Sequence, residues 1–251
     1  MKFFKKSENV QTQDNVSYSG IEELLDTEEG LENYNNDVVL KLAKGLGISR
    51  KFSSSEGFAE FGAGTGSLAE VWQIRFGLSP VCIEIDPTLI KILQSKGFTT
   101  YDSITSISKA LSFVYTSNVL EHIDNDVEAL NEIRKKIKPG GKLAIYVPAL
   151  PFLYSGLDKK VGHYRRYTKK ELIKKVSAAG FTVKDCYYND SLGILATLTV
   201  KVLGYKNKVG LGSPKSIVLY DKVVYPLSKI LDRLIFRKVI GKNLFLFAVN
   251  G

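Results

Sequence analysis

Short apolar runs alternate along the chain with amphipathic stretches of helical period, which predicts strands and helices in turn. The apolar runs predict seven strands, at residues 57–61, 80–85, 97–101, 111–116, 142–147, 181–188 and 244–249. The helical stretches are 31–48, 67–76 and 125–137, with two more that begin at Pro87 and Thr168. Strands that alternate with helices are typical of a mostly parallel sheet covered on both faces. The predicted fold class is therefore α/β, a doubly wound seven-stranded sheet with an N-terminal helix.

The same pattern divides the chain into three parts. Residues 1–30 are polar, without an apolar period, and predict a flexible N-terminal segment. Residues 31–188 together with 243–251 form the predicted α/β domain, and residues 189–242 are a helical insertion before the last strand. Late in the insertion the apolar residues share one face of a predicted helix, namely Leu227, Ile230, Leu231, Leu234 and Ile235.

Charge changes this picture mainly in the insertion. The formal net charge is +9, and residues 189–251 contribute ten basic groups against three acidic ones. Residues 191–203 are apolar nearly all round and form a second predicted helix. Two such helices among many cations predict a lid, an interfacial helix pair that contacts an anionic membrane or a lipid-linked acceptor. The alternative is that the apolar faces pack on the sheet or form the interface of a homodimer.

Three further features indicate the cellular compartment. No uncharged run is long enough to span a bilayer, and the start of the chain lacks the apolar core of a signal peptide. Cys82 and Cys186 lie far apart in apolar runs and predict buried free thiols in a reducing compartment. We therefore expect a cytoplasmic protein, peripheral at the inner face of the membrane if the insertion docks there.

A glycine-rich turn, with Gly62, Gly64 and Gly66, follows the first predicted strand. Glycines allow a tight turn and let a ligand touch the backbone, and the next helix N-terminus offers free N–H groups. Glu84 ends the second strand, twenty residues after Gly64. A carboxylate at that place can accept both ribose hydroxyls of a nucleoside. The two elements together predict a nucleoside cofactor at the carboxyl edge of the sheet.

Two residues distinguish between the two candidate cofactors, NAD and S-adenosylmethionine. A dinucleotide fingerprint has a third small residue, Gly or Ala, at the position of Ser67. Glu60, immediately before the glycine turn, would lie unfavourably beside a pyrophosphate but suits a positively charged cofactor. These residues favour S-adenosylmethionine over NAD, and an NAD-dependent oxidoreductase remains the weaker alternative.

Four segments together carry a family pattern. Residues 60–66, 82–87, 117–123 and 138–142 read EFGAGTG, CIEIDP, SNVLEHI and KPGGK. In this order they resemble the motifs of class I S-adenosylmethionine-dependent methyltransferases of the type 11 small-molecule group. The resemblance implies a Rossmann-like sheet whose last strand is antiparallel. It also implies a cofactor site made of Glu60, Gly62, Ala63, Gly64, Gly66, Glu84, Ile85, Asp102, Ser103 and Asn118.

Within that implied site, Asp102 has the position that usually contacts the adenine amine. The alternative is that Asp102 only caps its loop.

The two histidines of the chain both follow strands at the predicted substrate edge. His163, in the sequence GHYRRY, is the candidate general base for a hydroxyl acceptor, and His122 is the second catalytic candidate. Arg165 and Arg166, with Tyr164 beside them, are candidates to bind a carboxylate or phosphate of the acceptor. The alternative is that these residues only hold turns and cover the sheet edge.

The predicted function is methyl transfer from S-adenosylmethionine to a small-molecule, lipid-linked or glycan acceptor. A pI near 9.3 raises the alternative of an RNA or other nucleic-acid methyltransferase. Residues 117–120 contain no proline or aromatic ring that could stack on a flipped base, which disfavours a nucleic-acid partner. No metal is predicted, because no cluster of His, Cys or Asp has the spacing of ligands.

Overall fold

The structure, a computed structural model, describes residues 30–49, 57–203 and 214–251. The predicted N-terminal segment therefore lies outside the described residues, apart from Gly30. The strands are β1 (Phe58–Phe61), β2 (Val81–Ile83), β3 (Thr100–Tyr101), β4 (Leu111–Ser117), β5 (Ile137–Pro148), β6 (Phe181–Asn189) and β7 (Asn243–Asn250).

Helices connect these strands. They are α1 (Glu32–Leu46), α2 (Ser67–Phe76), α3 (Pro87–Ser95), α4 (Asp126–Lys136), α5 (Gly156–Lys160), α6 (Lys169–Ala178), α7 (Gly193–Leu203), α8 (Pro214–Leu219) and α9 (Tyr225–Leu234). A π-helical turn, Tyr220–Val224, joins α8 to α9. None of the described helices combines the length and the apolarity needed to cross a bilayer.

The seven strands form one sheet in the order β3-β2-β1-β4-β5-β7-β6. β1 to β5 are parallel to one another, whereas β7 is antiparallel to both β5 and β6. This confirms the predicted fold class, including the antiparallel last strand and the helices that precede it. The strand order reverses between β1 and β4, and a ligand crevice is expected outside the carboxyl ends of strands at such a point.

The core lies on both faces of the sheet. On one face α1 and α2 pack on the strands, with the ring centroids of Phe58 and Trp72 4.8 Å apart. On the other face α4 and α6 cover the strands with buried side chains such as Leu130 and Val176. Cys82 and Cys186 are free and buried, as the apolar runs around them predict.

Local sequence explains where two helices begin. The carboxylate of Asp86 accepts the N–H groups of Thr88 and Leu89 at 2.8 and 3.2 Å, and Pro87 occupies the first turn of α3. The hydroxyl of Thr168 accepts the N–H of Glu171 at 3.1 Å and caps α6. Both helices thus begin where the sequence predicts, at Pro87 and after Thr168.

The structure departs from the predicted elements in two places. The strand predicted at residues 142–147 begins earlier, at Ile137. Its pairing with β4 shifts between Leu111–Ile137 and Phe113–Lys142, which leaves residues 138–141 as an irregularity within the strand. The long loop after β5 contains the short helix α5, which begins with a capping box between Ser155 and Asp158. Sequence periodicity does not detect a helix of five residues.

Candidate functional site

A cavity of about 300 Å³ opens at the carboxyl ends of β1, β2 and β4. The glycine turn, the end of β2, the turn after β4 and the start of α1 form its walls. Its lining includes Leu31, Tyr34, Asn35, Val38, Glu60, Gly62, Ala63, Gly64, Glu84, Ile85, Ser117, Asn118, Glu121, His122 and His163. The predicted cofactor and catalytic residues are therefore mostly brought to one cavity by the topology of the sheet.

The glycine turn depends on glycine at defined positions. Gly62 has φ of +76°, and a Cβ placed on it would lie 2.3 Å from Cγ2 of Val119. Gly66 has φ of +87° at the start of α2, where a Cβ would lie 2.8 Å from a methyl group of Leu93. Side chains at either position would strain the backbone and displace buried neighbours, so the turn brings bare backbone to the cavity wall.

Two buried carboxylates line the cavity beside this turn. Glu60 accepts the hydroxyl of Tyr115 at 2.7 Å, and burial raises its pKa to about 8, with the charge of Glu84 adding to the effect. Glu84 accepts the N–H groups of Gly64 and Ile85, each at 2.8 Å. Burial also raises the pKa of Glu84, against the lowering effect of these backbone hydrogen bonds. The cavity wall thus favours a ligand with positive charge.

The turn after β4 holds Asn118 with φ of +52°, a left-handed conformation that Asn tolerates better than most residues. Its N–H donates to the carbonyl of Tyr146 at 2.8 Å, which fixes the turn against β5.

Three predicted cofactor residues do not line the cavity. Gly66 begins α2. Asp102 is exposed and accepts the hydroxyl of Ser106 at 3.2 Å, while Ser103 caps the following turn through the N–H of Thr105. This placement matches the alternative interpretation of Asp102 as a loop cap.

His163 is held by a buried acid. Its Nδ1 lies 2.8 Å from Oδ1 of Asp158, its backbone N–H donates to the carbonyl of Asp158, and its ring lines the cavity. Burial acts to raise the pKa of Asp158, but the hydrogen bond from His163 and the charge of Arg166 outweigh it and hold the pKa at about 2. The carboxylate therefore stays ionised and accepts the hydrogen bond from Nδ1–H of His163.

Two more titratable groups surround this imidazole. Oε1 of Glu121 lies 4.0 Å from Nε2 of His163, and the rings of His122 and His163 meet edge to face at 4.5 Å. Burial raises the pKa of Glu121 to about 7, although the charge of His163 opposes it. Burial and His163 lower the pKa of His122 to about 3, against backbone hydrogen bonds at residues 161 and 162. His122 is therefore neutral at physiological pH.

Glu121, His122 and His163 each offer an atom that could bind a metal ion, and these atoms lie within 4.8 Å of one another. Sequence spacing did not reveal this group, since the two segments meet only in the fold. A backbone hydrogen bond connects the two segments: the N–H of Tyr164 donates to the carbonyl of Glu121 at 2.8 Å.

The predicted acceptor-binding arginines have partners within the protein. Arg165 pairs with Asp126 at 2.9 Å, and Arg166 pairs with Asp158 at 2.8 Å. Tyr164 is half-buried and lies under the guanidinium of Arg165 at 5.6 Å. None of the three lines the cavity. The structure therefore does not place them at the acceptor, and the arginines instead fix the loop that carries His163.

Sequence analysis missed three residues of this site. Asp158 lies in a lysine-flanked stretch five residues before His163, and no motif marks it. Tyr34 lies in the N-terminal helix, whose helical period indicates only packing on the sheet. Glu121 lies in the segment SNVLEHI, where a carboxylate beside a histidine after a strand is a usable signal.

Comparisons with known proteins give the family from one match and the fold from several others. A family model described as a methyltransferase domain matches residues 34–185. A solved structure described as a complex between the Haloferax volcanii Trm112 methyltransferase activator and a methyltransferase matches at 12% identity. The match covers 95% of this chain and 99% of that chain, with a TM-score of 0.57.

Two further solved structures share the fold. An S-adenosylmethionine-dependent methyltransferase of Thermotoga maritima is 14% identical over 93% of this chain and 98% of its own, with a TM-score of 0.53. Geranyl diphosphate C-methyltransferase of Streptomyces coelicolor is 9% identical over 86% and 79%, with a TM-score of 0.56. No curated protein matches the chain at a significant level.

Proposed function

Because the chain belongs to the class I S-adenosylmethionine-dependent methyltransferases of the type 11-like kind, we propose that it methylates a hydroxyl oxygen of a small-molecule, lipid-linked or glycan acceptor. The observation that carries this proposal is the Asp158–His163 pair. The glycine turn and the two buried carboxylates line one cavity, and His163 lines the same cavity. The hydrogen bond to Asp158 orients the imidazole of His163, which can act there as a proton acceptor.

The residues of the cavity fit this cofactor. Glu60 and Glu84 are buried, and each accepts hydrogen bonds from neutral donors. The sulfonium and amine of S-adenosylmethionine would offset the cost of ionising them, and Glu84 retains lone pairs for the ribose hydroxyls. When bound, the cofactor supplies an activated methyl group, so the chain mainly has to hold two reactants in line.

The proposed role of His163 follows from its hydrogen bond to Asp158. Nδ1 donates to the ionised carboxylate, so Nε2 can accept the hydroxyl proton as the acceptor oxygen bonds to the methyl carbon. The electron pair of the broken methyl–sulfur bond would stay with the demethylated cofactor. The imidazolium that forms faces Oε1 of Glu121 at 4.0 Å, and a carboxylate at that distance stabilises the new positive charge.

Small acceptors fit this site better than nucleic acid. The turn that carries Asn118 and Val119 offers no aromatic ring to a flipped base.

The test is turnover of labelled S-adenosylmethionine with a metabolite and lipid extract, followed by identification of the labelled product. His163→Ala should lower kcat about 10²–10⁴-fold, because it removes the proton acceptor, while the affinity for S-adenosylhomocysteine stays unchanged. Lys159→Ala, an exposed change in the same loop, is the matched control and should retain turnover. Normal turnover in His163→Ala would return His163 to a structural role.

Treatment with a chelator distinguishes base catalysis by His163 from metal-ion catalysis at the same residues. Glu121, His122 and His163 are suitable ligands for a divalent ion, and a metal there would activate the hydroxyl as a Lewis acid. If EDTA leaves turnover unchanged, the imidazole acts as the base. Loss of turnover with EDTA and its return with Zn²⁺ would instead assign His163 as a ligand.

A further inference from the structure

A helix in the insertion is built with its polar face inward. α8, the π-helical turn and α9 follow one another without a break from residue 214 to residue 234, and the residues at both junctions have helical φ and ψ. Pro226 has no N–H to donate within the helix, and the π-helical turn immediately precedes it. We call this continuous segment the insertion helix.

The buried side of the insertion helix is polar. Four residues at spacings of four, three and four lie on it, and each is at most 6% exposed: Asp221, Tyr225, Ser228 and Asp232. Residues with this spacing share one face of a helix. A surface helix normally buries apolar residues at such positions, so the pattern is the reverse of the usual one.

Each of these four residues has a hydrogen-bond partner. The carboxylate of Asp221 accepts the N–H groups of Asn33 and Tyr34 at 2.9 and 2.8 Å and so caps α1, whose own N-cap residue makes no side-chain bond. The hydroxyl of Tyr225 donates to Asp37 at 2.7 Å. These bonds join the helix to α1.

The other end of the helix is joined to the residues after β6. Asp232 accepts the N–H groups of Asp190 and Ser191 at 2.6 and 3.1 Å. The hydroxyl of Ser228 accepts the N–H of Leu192 at 3.1 Å. If the helix rotated about its axis to bury its other face, all of these hydrogen bonds would break. Buried polar groups would then lack partners, so the orientation of the helix is fixed.

The opposite side is apolar and exposed. We call it the apolar stripe; its side chains are between 48% and 72% exposed and comprise Leu219, Val223, Leu227, Ile230 and Leu234. Neighbouring exposed residues, Val218, Ile235 and Val239, extend it. A contiguous apolar surface of this kind marks a site of interaction. The alternative that this face packs on the sheet is therefore not what the structure shows for Leu227, Ile230 and Leu234.

The charged residues around the apolar stripe indicate what kind of surface binds it. The two acids of residues 214–239 are Asp221 and Asp232, both buried, whereas Lys215, Lys222, Arg233 and Lys238 are exposed. The charge exposed around the apolar stripe is thus positive. In a symmetric dimer these cations would face their own copies, which costs energy, whereas an anionic lipid surface attracts them. We propose that the apolar stripe docks the protein on an anionic membrane surface.

Docking there would bring the insertion helix to the lipid surface. Asp221 accepts the N–H of Tyr34 on the side of the helix opposite the apolar stripe, and Tyr34 lines the cavity. The insertion helix would therefore lie between the lipid and the α1 wall of the site. The docking itself does not depend on which atom the enzyme methylates.

Co-sedimentation with vesicles tests the proposal. The full chain should sediment with phosphatidylcholine vesicles that contain phosphatidylglycerol, and should stay in the supernatant with phosphatidylcholine alone. The triple variant Leu227→Ser, Ile230→Ser, Leu234→Ser should lower vesicle affinity by at least about tenfold. Lys222→Gln with Arg233→Gln should lower it by about fivefold for each cation, and added salt should have the same effect.

The controls separate docking from folding and from self-association. Ile74→Ser changes an apolar residue on α2 that is 80% exposed, and this variant should bind vesicles like the wild type. All variants should keep the wild-type unfolding temperature, since the substituted side chains are exposed. No binding to anionic vesicles at low salt would overturn the proposal. So would a dimer in light scattering that becomes monomeric in the triple variant, because the occupant would then be a second copy.

Discussion

The cofactor cavity and the insertion helix both break the ordinary rule of burial, in opposite ways. The cavity buries two carboxylates, Glu60 and Glu84, whose pKa values burial raises. The insertion helix buries polar residues that are all hydrogen-bonded and exposes an apolar stripe. In the cavity the charge still needs a counter-charge, which a cationic ligand supplies. On the helix the polar groups need nothing further, and the exposed apolar area is what a partner would cover.

The largest effect should come from the carboxylate that ends β2. We expect Glu84→Ala to weaken S-adenosylmethionine binding by about 3–6 kcal/mol, because two charge-assisted hydrogen bonds of about 1.5–3 kcal/mol each are lost. Isothermal titration calorimetry measures this change. Glu70→Ala, a partly exposed carboxylate on α2, is the control and should bind normally. Wild-type affinity in Glu84→Ala, or comparable binding of NADH, would show that the cavity has been assigned to the wrong ligand.

A smaller effect should separate the two sides of the insertion helix. Asp232→Ala should lower the free energy of unfolding by about 2–4 kcal/mol, because it leaves two buried N–H groups without an acceptor. Leu234→Ala, two residues away but exposed, should change it by less than about 0.5 kcal/mol. Urea denaturation of the two variants gives both numbers. The opposite ranking would mean that the helix buries its apolar side in solution.

The smallest effect concerns pH. Glu121 and Glu60 have pKa values of about 7 and about 8, raised by burial from 4.5, so the folded state holds protons that the unfolded state has lost. Their contribution to stability is present below pH 4.5 and is lost as pH rises through 7 and 8. His122, with its lowered pKa, changes stability only at more acidic pH.

We therefore expect the ligand-free protein to lose about 1–3 kcal/mol of stability between pH values of about 6.5 and 8.5. Denaturation across this range should show a smaller slope for Glu60→Gln and an unchanged slope for Glu32→Gln, an exposed carboxylate. Saturating S-adenosylmethionine should also reduce the slope, because its positive charge favours ionised Glu60. A flat profile for the wild type would contradict the burial of these acids.

Much of the α/β domain follows from local sequence. Apolar runs predict the strands, and α2 has the bounds that its pattern predicts, Ser67–Phe76. The caps at Asp86 and Thr168 use side-chain bonds to N–H groups two or three residues away, so they too can be deduced from sequence. The elements that were missed are short or irregular, such as α5 and the start of β5 at Ile137, where the pairing with β4 decides the structure rather than the period.

The candidate site divides in the same way. The glycine turn and Glu84 are separated by twenty residues, and adjacent parallel strands bring them together, so a motif can encode them. Asp158 reaches His163 across a loop, and Glu121 meets the same histidine from another strand end. Arg165 and Arg166 resemble anion-binding residues in sequence, but the fold gives them acidic partners.

The sequence by itself determined the strand–helix alternation, the cofactor turn and the amphipathic character of the insertion. It did so because each depends on residues that are close in the chain or related by one strand register. Only the tertiary structure decided which side of the insertion helix is buried. A helical period shows that two faces differ, but which face packs depends on distant groups. N–H groups at the start of α1 donate to Asp221, and N–H groups after β6 donate to Asp232. Hydrogen bonds to those buried N–H groups outweigh the burial of the apolar stripe.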